Sequence, residues 1–199
     1  MRVLIACEFS GIVRDAFAAL GHEAWSCDLL PSELPANNRH LLCDARSVLD
    51  EGWDLLIAHP PCTYLCNSGV RWLAPGGKLD PARHRLTQQA CDFFAAIYHA
   101  PIARVCVENP VMHKYARDYL QSAWRVPPFS QSIQPYQFGH GETKRTCLWL
   151  RGLPALTTTQ LVPGRAALVH RAPPSPDRWK ARSRTLPGIA NAMAAQWGA

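Results

Sequence analysis

Residues 2–28, RVLIACEFSGIVRDAFAALGHEAWSCD, decide the fold. The apolar run RVLIAC ends at Ser10-Gly11, and Ile12, Val13, Ala16, Phe17 and Leu20 then recur at helical spacing. Gly21 closes that helix, EAWSCDLL reads as a second strand, and Asp28 falls toward its carboxyl end. The same alternation continues outward. After a Pro/Asn-rich turn come Cys43-Asp44 and a short helical segment, then WDLLIAHPPC as a third strand stopped by two prolines. Residues 83–100 carry Leu86, Ala90, Phe93, Phe94 and Ile97 at helical spacing, and ARVCVENP is a fourth strand. Strands alternating with helices at this interval predict an α/β fold with a doubly wound, mainly parallel sheet that binds ligands at the carboxyl ends of its strands. Ser10-Gly11, Asp28, Asp44, Pro60-Pro61-Cys62 and Glu108-Asn109-Pro110 are expected along that edge.

From about Arg151 the periodicity is lost, and residues 151–183 read as a small irregular basic appendage within a single domain spanning 1–199. The composition, 48% hydrophobic against 18% charged over 199 residues, supports one core, leaves no room for two catalytic domains and excludes a disordered chain. The net charge of +6 suits a polyanion such as DNA or RNA, or an anionic metabolite; Arg165, Arg171, Arg178, Lys180, Arg182 and Arg184 supply much of it. There is no uncharged apolar run of membrane-spanning length, and Glu8 arrives too early for a signal peptide, so a soluble cytoplasmic protein without a membrane partner is expected. Eight cysteines sit singly in apolar segments and read as buried free thiols. Cys62 and Cys66, with His59 upstream, have poor zinc spacing, and no metal is expected.

Two motifs carry chemistry. In AHPPCTYLCNSG (58–69) two prolines hold the chain rigid where Cys62 emerges, and a positioned, partly exposed thiol is a nucleophile, although a cysteine there also serves to pack. In VCVENP (105–110) Glu108 ends the next strand at the same edge, where a carboxyl group can protonate or hydrogen-bond a ring nitrogen; the alternative is a surface turn. His140, in a glycine-flanked loop beside Thr143 and Lys144, is the histidine best placed to touch substrate, whereas His59, His113 and His170 read as solvated or capping residues. Among the tryptophans, Trp179 between Arg178 and Lys180 is the candidate base-stacking platform.

Together these motifs resemble the cytosine-5 DNA methyltransferase family, which has a Pro-Cys nucleophile loop and a Glu-Asn dipeptide on successive strands, and especially its short phage or prophage members. The resemblance implies a Rossmann-like, S-adenosylmethionine-dependent methyltransferase. CEFSG (7–11) corresponds to the first cofactor motif, so Glu8, Phe9, Ser10, Gly11 and Pro60 would meet S-adenosylmethionine, with Asp28 at its ribose and Asp44 near its adenine. QFGHGETKRTCLWL (137–150) resembles the later motif that sets a basic residue, Lys144 or Arg145, beside the target base. PGIANAMAAQW (187–197) resembles the terminal helix, with Asn191, that folds back on the cofactor. Catalysis would fall to Cys62, Glu108, Asn109 and Lys144 or Arg145; Ser68, His140, Thr143, Arg178, Trp179 and Lys180 would touch substrate.

The family chemistry implies addition of the Cys62 thiolate to carbon 6 of cytosine, a Glu108 hydrogen bond at ring nitrogen 3 and methylation at carbon 5, on DNA presented single-stranded or with its base flipped out of a duplex. The chain departs from the pattern at Val13, where a second glycine is usual, at Thr63, which replaces glutamine, and at Pro110, which replaces valine. Residues 151–183 stand where a long target-recognition region is expected, so a protein partner would supply sequence recognition in trans. Two other readings remain open: a non-catalytic nucleic-acid-binding or decoy protein with this fold, and the same thiol chemistry on RNA or a free pyrimidine nucleotide.

Overall fold

Four consecutive apolar residues, Val3, Leu4, Ile5 and Ala6, are fully buried, which requires cover on both faces and suits the middle of a parallel sheet. The computed structural model, which describes residues 1–34 and 38–199, places them there. Strand β1 (Arg2–Ala6) pairs in parallel with β2 (Glu23–Asp28), which carries the short β3 (His40–Leu42) outside it. On its other side β1 pairs with β4 (Leu55–Ala58), and β4 with β5 (Arg104–Pro110), again in parallel. Beyond β5 the direction reverses. Among the described residues β6 (Gln131–Ile133) and β7 (Thr146–Arg151) complete a seven-stranded sheet of order β3-β2-β1-β4-β5-β7-β6, with β7 antiparallel to both neighbours.

The four parallel strands read from the sequence are β1, β2, β4 and β5. Strand β3 escapes that reading because three residues hold no period. The antiparallel course of β7 is set by pairing with β5, with Glu108 opposite Leu148 and Asn109 opposite Cys147, a contact between segments far apart in the chain.

Helix α1 (Ile12–Ala19) follows the turn at Gly11, and α2 (Pro81–Tyr98) begins at Pro81 because Asp80 accepts a hydrogen bond from the Arg83 amide. Helix α3 (Lys114–Trp124) is capped by His113, whose ring accepts from the Ala116 amide. The irregular segment after Arg151 contains two short helices, α4 (Leu168–Arg171) and α5 (Arg178–Ser183), and the chain ends in α6 (Pro187–Trp197).

Alternation along β1 divides the core. Val3 and Ile5 pack with Val13 and Phe17 of α1 and Ile189, Met193 and Trp197 of α6. Leu4 and Ala6 face the other side, with Cys91 and Phe94 of α2 and Leu120 of α3. The chain leaves β1 toward β2 and later crosses to β4 on the opposite side, so the crevice at the tips of β1 and β4 is the topological switch point.

Helix α6 is held close to the sheet edge at Gly188, where a Cβ would overlap the Phe138 carbonyl oxygen and crowd His140. Gly188→Ala is expected to cost about 1–3 kcal/mol, read as a fall of several degrees in the thermal unfolding midpoint.

Candidate active site

The tips of β1, β4 and β5 converge on one cleft of about 120 Å³, lined by the Cys7–Ser10 loop, His59 to Cys62, Glu108 to Pro110, Lys144 and residues 182–185. Each wall is fixed by local chemistry. After β1 the backbone turns through Cys7 (φ 57°) and Gly11 (φ 73°), and a Cβ on Gly11 would lie 2.5 Å from the buried Arg14 guanidinium. Glu8, only 4% exposed, turns its carboxylate onto the first turn of α1. It accepts from the Val13 amide at 2.7 Å and the Arg14 amide at 3.2 Å, with the Ser10 hydroxyl at 3.3 Å. Burial raises the pKa of Glu8, while His59 and the helix amides oppose that rise.

After β4 the His59 amide still bonds to Ala6, and then Pro60 and Pro61 stiffen the turn. Asn109, 1% exposed on β5, donates from Nδ2 to the Pro60 carbonyl at 3.0 Å and so ties the Pro-Pro-Cys turn to the neighbouring strand. The Leu65 and Cys66 amides both bond to the Cys62 carbonyl at 3.0 Å, closing a helical turn that sets Cys66 beside Cys62. Cys62 lines the cleft; Cys66 is buried behind it and touches the Ser68 hydroxyl at 3.0 Å.

The two thiols titrate as a pair. A hydrogen bond with Cys62, then the Ser68 hydroxyl and the Ser68 and Gly69 amides, push Cys66 below the ordinary thiol range against the effect of burial. Donation to Cys66, burial and the charges of Cys66 and Glu108 push Cys62 up. These contacts favour a thiolate on Cys66 over one on Cys62.

At the tip of β5, Glu108 Oε2 lies 2.9 Å from His59 Nδ1, and the two side chains are 13% and 9% exposed. Burial would raise the Glu108 pKa, but His59, then Lys144 and Thr146, hold it below the ordinary carboxylate value. His59 Nε2 is buried and has no hydrogen-bond partner among the described residues. Lys144 reaches the same site because β7 runs back along β5 and begins two residues later; its Nζ donates to the Arg184 carbonyl at 3.0 Å.

Residues 182–185 form a strap over the cleft. The Arg184 guanidinium bonds both carboxylate oxygens of Glu33 at 3.0 and 2.8 Å, and the Trp179 ring lies 5.7 Å from that of Phe9.

The cleft therefore gathers Glu8, Phe9, Ser10, Pro60, Cys62, Glu108, Asn109 and Lys144. Gly11 supports it from the α1 turn and Ser68 from behind Cys66. The remaining candidates lie outside the cleft lining. Arg145 is exposed where Lys144 is half-buried. Asp28 sits at the tip of β2 and accepts from the Leu30 amide at 3.0 Å. Asp44 caps a short turn and chelates Arg46. Asn191 is exposed on α6. His140 Nε2 accepts from the Gly188 amide at 3.0 Å, and the Thr143 amide bonds to Ala166. Arg178, Trp179 and Lys180 lie on α5 leading into the strap, with Lys180 Nζ over the Trp179 ring. His59, read from the sequence as solvated or capping, is instead 9% exposed and bonded to Glu108, because β4 and β5 bring the two strand ends together; the strap had no signal in the sequence beyond its basic composition.

Among the described residues no group of three or more His, Cys, Asp or Glu side chains is placed to hold a metal ion, and no helix is long and apolar enough to cross a membrane.

No family model matches the chain, and no curated protein matches it. Solved structures do. A protein assigned as a DNA modification methyltransferase encoded within an E. coli prophage superposes with a TM-score of 0.52 at 13% identity, over 87% of this chain and 55% of that one. The S. pombe Dnmt2 methyltransferase gives 0.46 at 17% identity over 78% and 50% of the two chains, too distant to carry an argument. The shared sheet is a Rossmann-like α/β fold. This chain thus spans little more than half the length of the prophage protein.

The charge on the thiol pair is open to direct measurement. Thiolate absorbance near 240 nm is expected at pH 7 in the native protein and should vanish on acidification, as Cys66 takes up its proton. Cys66→Ser should remove it at pH 7, since burial and Glu108 keep Cys62 protonated.

Proposed function

We propose that the protein transfers a methyl group from S-adenosylmethionine to carbon 5 of cytosine in DNA. The observation that carries this reading is the convergence of Cys62 and Glu108 on one cleft, at the tips of adjacent strands, with Lys144 and the Glu8 loop beside them.

The Glu8 loop supports this choice of cofactor. A pyrophosphate at the α1 N-terminus would meet the buried Glu8 carboxylate, which already holds the amides that such a group needs. A sulfonium nucleoside carries no phosphate and bears a positive charge, so a carboxylate there favours it. Glu8, Phe9, Ser10, Gly11 and Pro60 would hold it, with Asp28 and Asp44 on the adjoining strand ends. S-adenosylmethionine would supply the electrophilic methyl group.

The chain's own groups perform the remaining work. Asn109 fixes the turn that presents Cys62, and Cys66 takes the Cys62 proton as the sulfur adds to carbon 6. Glu108, ionised at rest, takes up a proton from solvent as the base enters and donates it to ring nitrogen 3, which draws charge from the ring and makes carbon 6 electrophilic. Lys144 offsets the negative charge that collects around the thiols and Glu108. Loss of the carbon 5 proton to solvent and departure of the Cys62 sulfur, which retakes its proton from Cys66, then restore the aromatic ring, and Glu108 returns its proton to solvent.

A pocket for a nucleoside needs about 300 Å³ or more, so the strap at 182–185 must swing away to admit cofactor and base. Residues 151–183 act as a reduced recognition segment: Arg178 and Lys180 hold the DNA backbone, and Trp179, released from Phe9, stacks on a base. A protein partner would supply sequence recognition in trans.

DNA carrying 5-fluorocytosine should become covalently attached in the presence of cofactor, because fluorine cannot leave as a proton does. Gel-shifted adduct is expected for the native protein, none for Cys62→Ser, and slower adduct formation for Cys66→Ser. Glu108→Gln should slow trapping about 10²-fold or more while DNA affinity is largely retained. Parallel reactions with duplex DNA, single-stranded DNA, RNA and dCMP identify the substrate; absence of an adduct with all four refutes the reading.

A further inference from the structure

His59 differs from the other histidines of the chain. His113 Nδ1 caps α3 and its Nε2 bonds to the Tyr64 carbonyl, so both ring nitrogens are engaged; His140 is tied to the Gly188 amide. His59 has one nitrogen held by Glu108 and the other, Nε2, buried without a partner among the described residues. A buried ring nitrogen left unpaired is costly and uncommon. The side chain is 9% exposed and lines the cleft with Cys62, three residues along the same turn. That is how a substrate contact looks before the substrate arrives.

Chemistry fixes what the contact accepts. The Glu108 carboxylate is an acceptor, so His59 must present Nδ1–H to it, and in the neutral ring this leaves a lone pair on Nε2. A carboxylate that selects the tautomer of a histidine in this way is a familiar device. A lone pair in the cleft suits an amino group and repels a carbonyl oxygen, and of the pyrimidines only cytosine carries an exocyclic amine. Glu8, Glu108, Lys144, Arg182 and Arg184 are the charged groups that line the cleft around this site.

We infer that His59 Nε2 accepts a hydrogen bond from the exocyclic amino group of the target cytosine, with Glu108 holding the ring in the required tautomer. The inference rests on the cytosine reading above and makes His59 the residue that separates cytosine from uracil or thymine. Glu108 then has two tasks on neighbouring positions of the same base edge: one carboxylate oxygen orients His59 and the other serves ring nitrogen 3.

The test is equilibrium binding, by fluorescence anisotropy, of three labelled homo-oligomers with identical backbones: dC12, dU12, and a 12-mer of pyrimidin-2-one, which lacks the amine. The native protein should bind dC12 about tenfold or more tightly than either of the others, the worth of one well-made hydrogen bond plus the repulsion it replaces. His59→Asn keeps an N–H directed at Glu108 and withdraws the acceptor from the Nε2 position, so it should bind dC12 and the pyrimidin-2-one strand about equally, and removing the amine should no longer matter to it. His59→Gln, whose amide oxygen reaches farther, should recover part of the preference. A native protein that does not distinguish dC12 from the pyrimidin-2-one strand overturns the inference, and this comparison needs no variant to fold. An unchanged preference in His59→Asn overturns it as well. Covalent trapping of 5-fluorocytosine with no base preference at His59 would leave the methyltransferase reading standing and remove this contact. A His59-dependent preference without trapping would do the reverse.

Discussion

The hydrogen bond from Asn109 to the Pro60 carbonyl, buried between the tips of β4 and β5, is the constraint on which the site depends. It joins two segments 49 residues apart and holds a turn that proline rings have already stiffened. Beside it, the hydrogen bond between His59 and Glu108 joins the same two strand ends. Parallel pairing of β4 with β5 brings both bonds within reach, and both lie on the edge where the chain's chemistry collects. The exposed face of Cys62 and the acidity of Glu108 follow from that pairing.

Charge around the cleft alternates in a way that burial alone would forbid. Glu8, His59, Glu108 and Lys144 line the cleft together, and hydrogen bonds favour a thiolate on Cys66 beside them. Ionised groups out of water are tolerated only when so arranged. The same arrangement explains why Glu8 occupies the helix N-terminus: the amides of α1 satisfy an internal carboxylate, and the helix end is closed to a phosphate. A loop that departs from the glycine-rich pattern at Val13 can therefore still define a ligand, by excluding one class and favouring another.

The basic segment has a place in this scheme that its composition does not announce. Only part of it reaches the cleft, through Arg182 to Thr185, and it is anchored by Arg184 on Glu33 and by Trp179 near Phe9. The Arg184–Glu33 pair is at the surface, where an ion pair is worth little and is screened by salt. A strap held so lightly can yield to a polyanion that competes for the same arginines.

Local chemistry made much of this legible in the sequence. The apolar run of β1, the glycine turn into α1, the prolines after β4 and the Glu-Asn pair ending β5 each carry their own signal, because strand burial, φ restriction and helical period act over a few residues. They establish the doubly wound sheet and which residues stand at its tips. Direction and partnership are different in kind. That β7 runs antiparallel and brings Lys144 rather than Arg145 to the cleft, that His140 serves α6, and that His59 faces Glu108 all depend on contacts between distant segments. A histidine before two prolines reads alike whether its second nitrogen meets water, a carbonyl or nothing. Only the packing of β5 beside β4 decides it, since hydrogen-bond partners are fixed by position in space and not by neighbours in the chain.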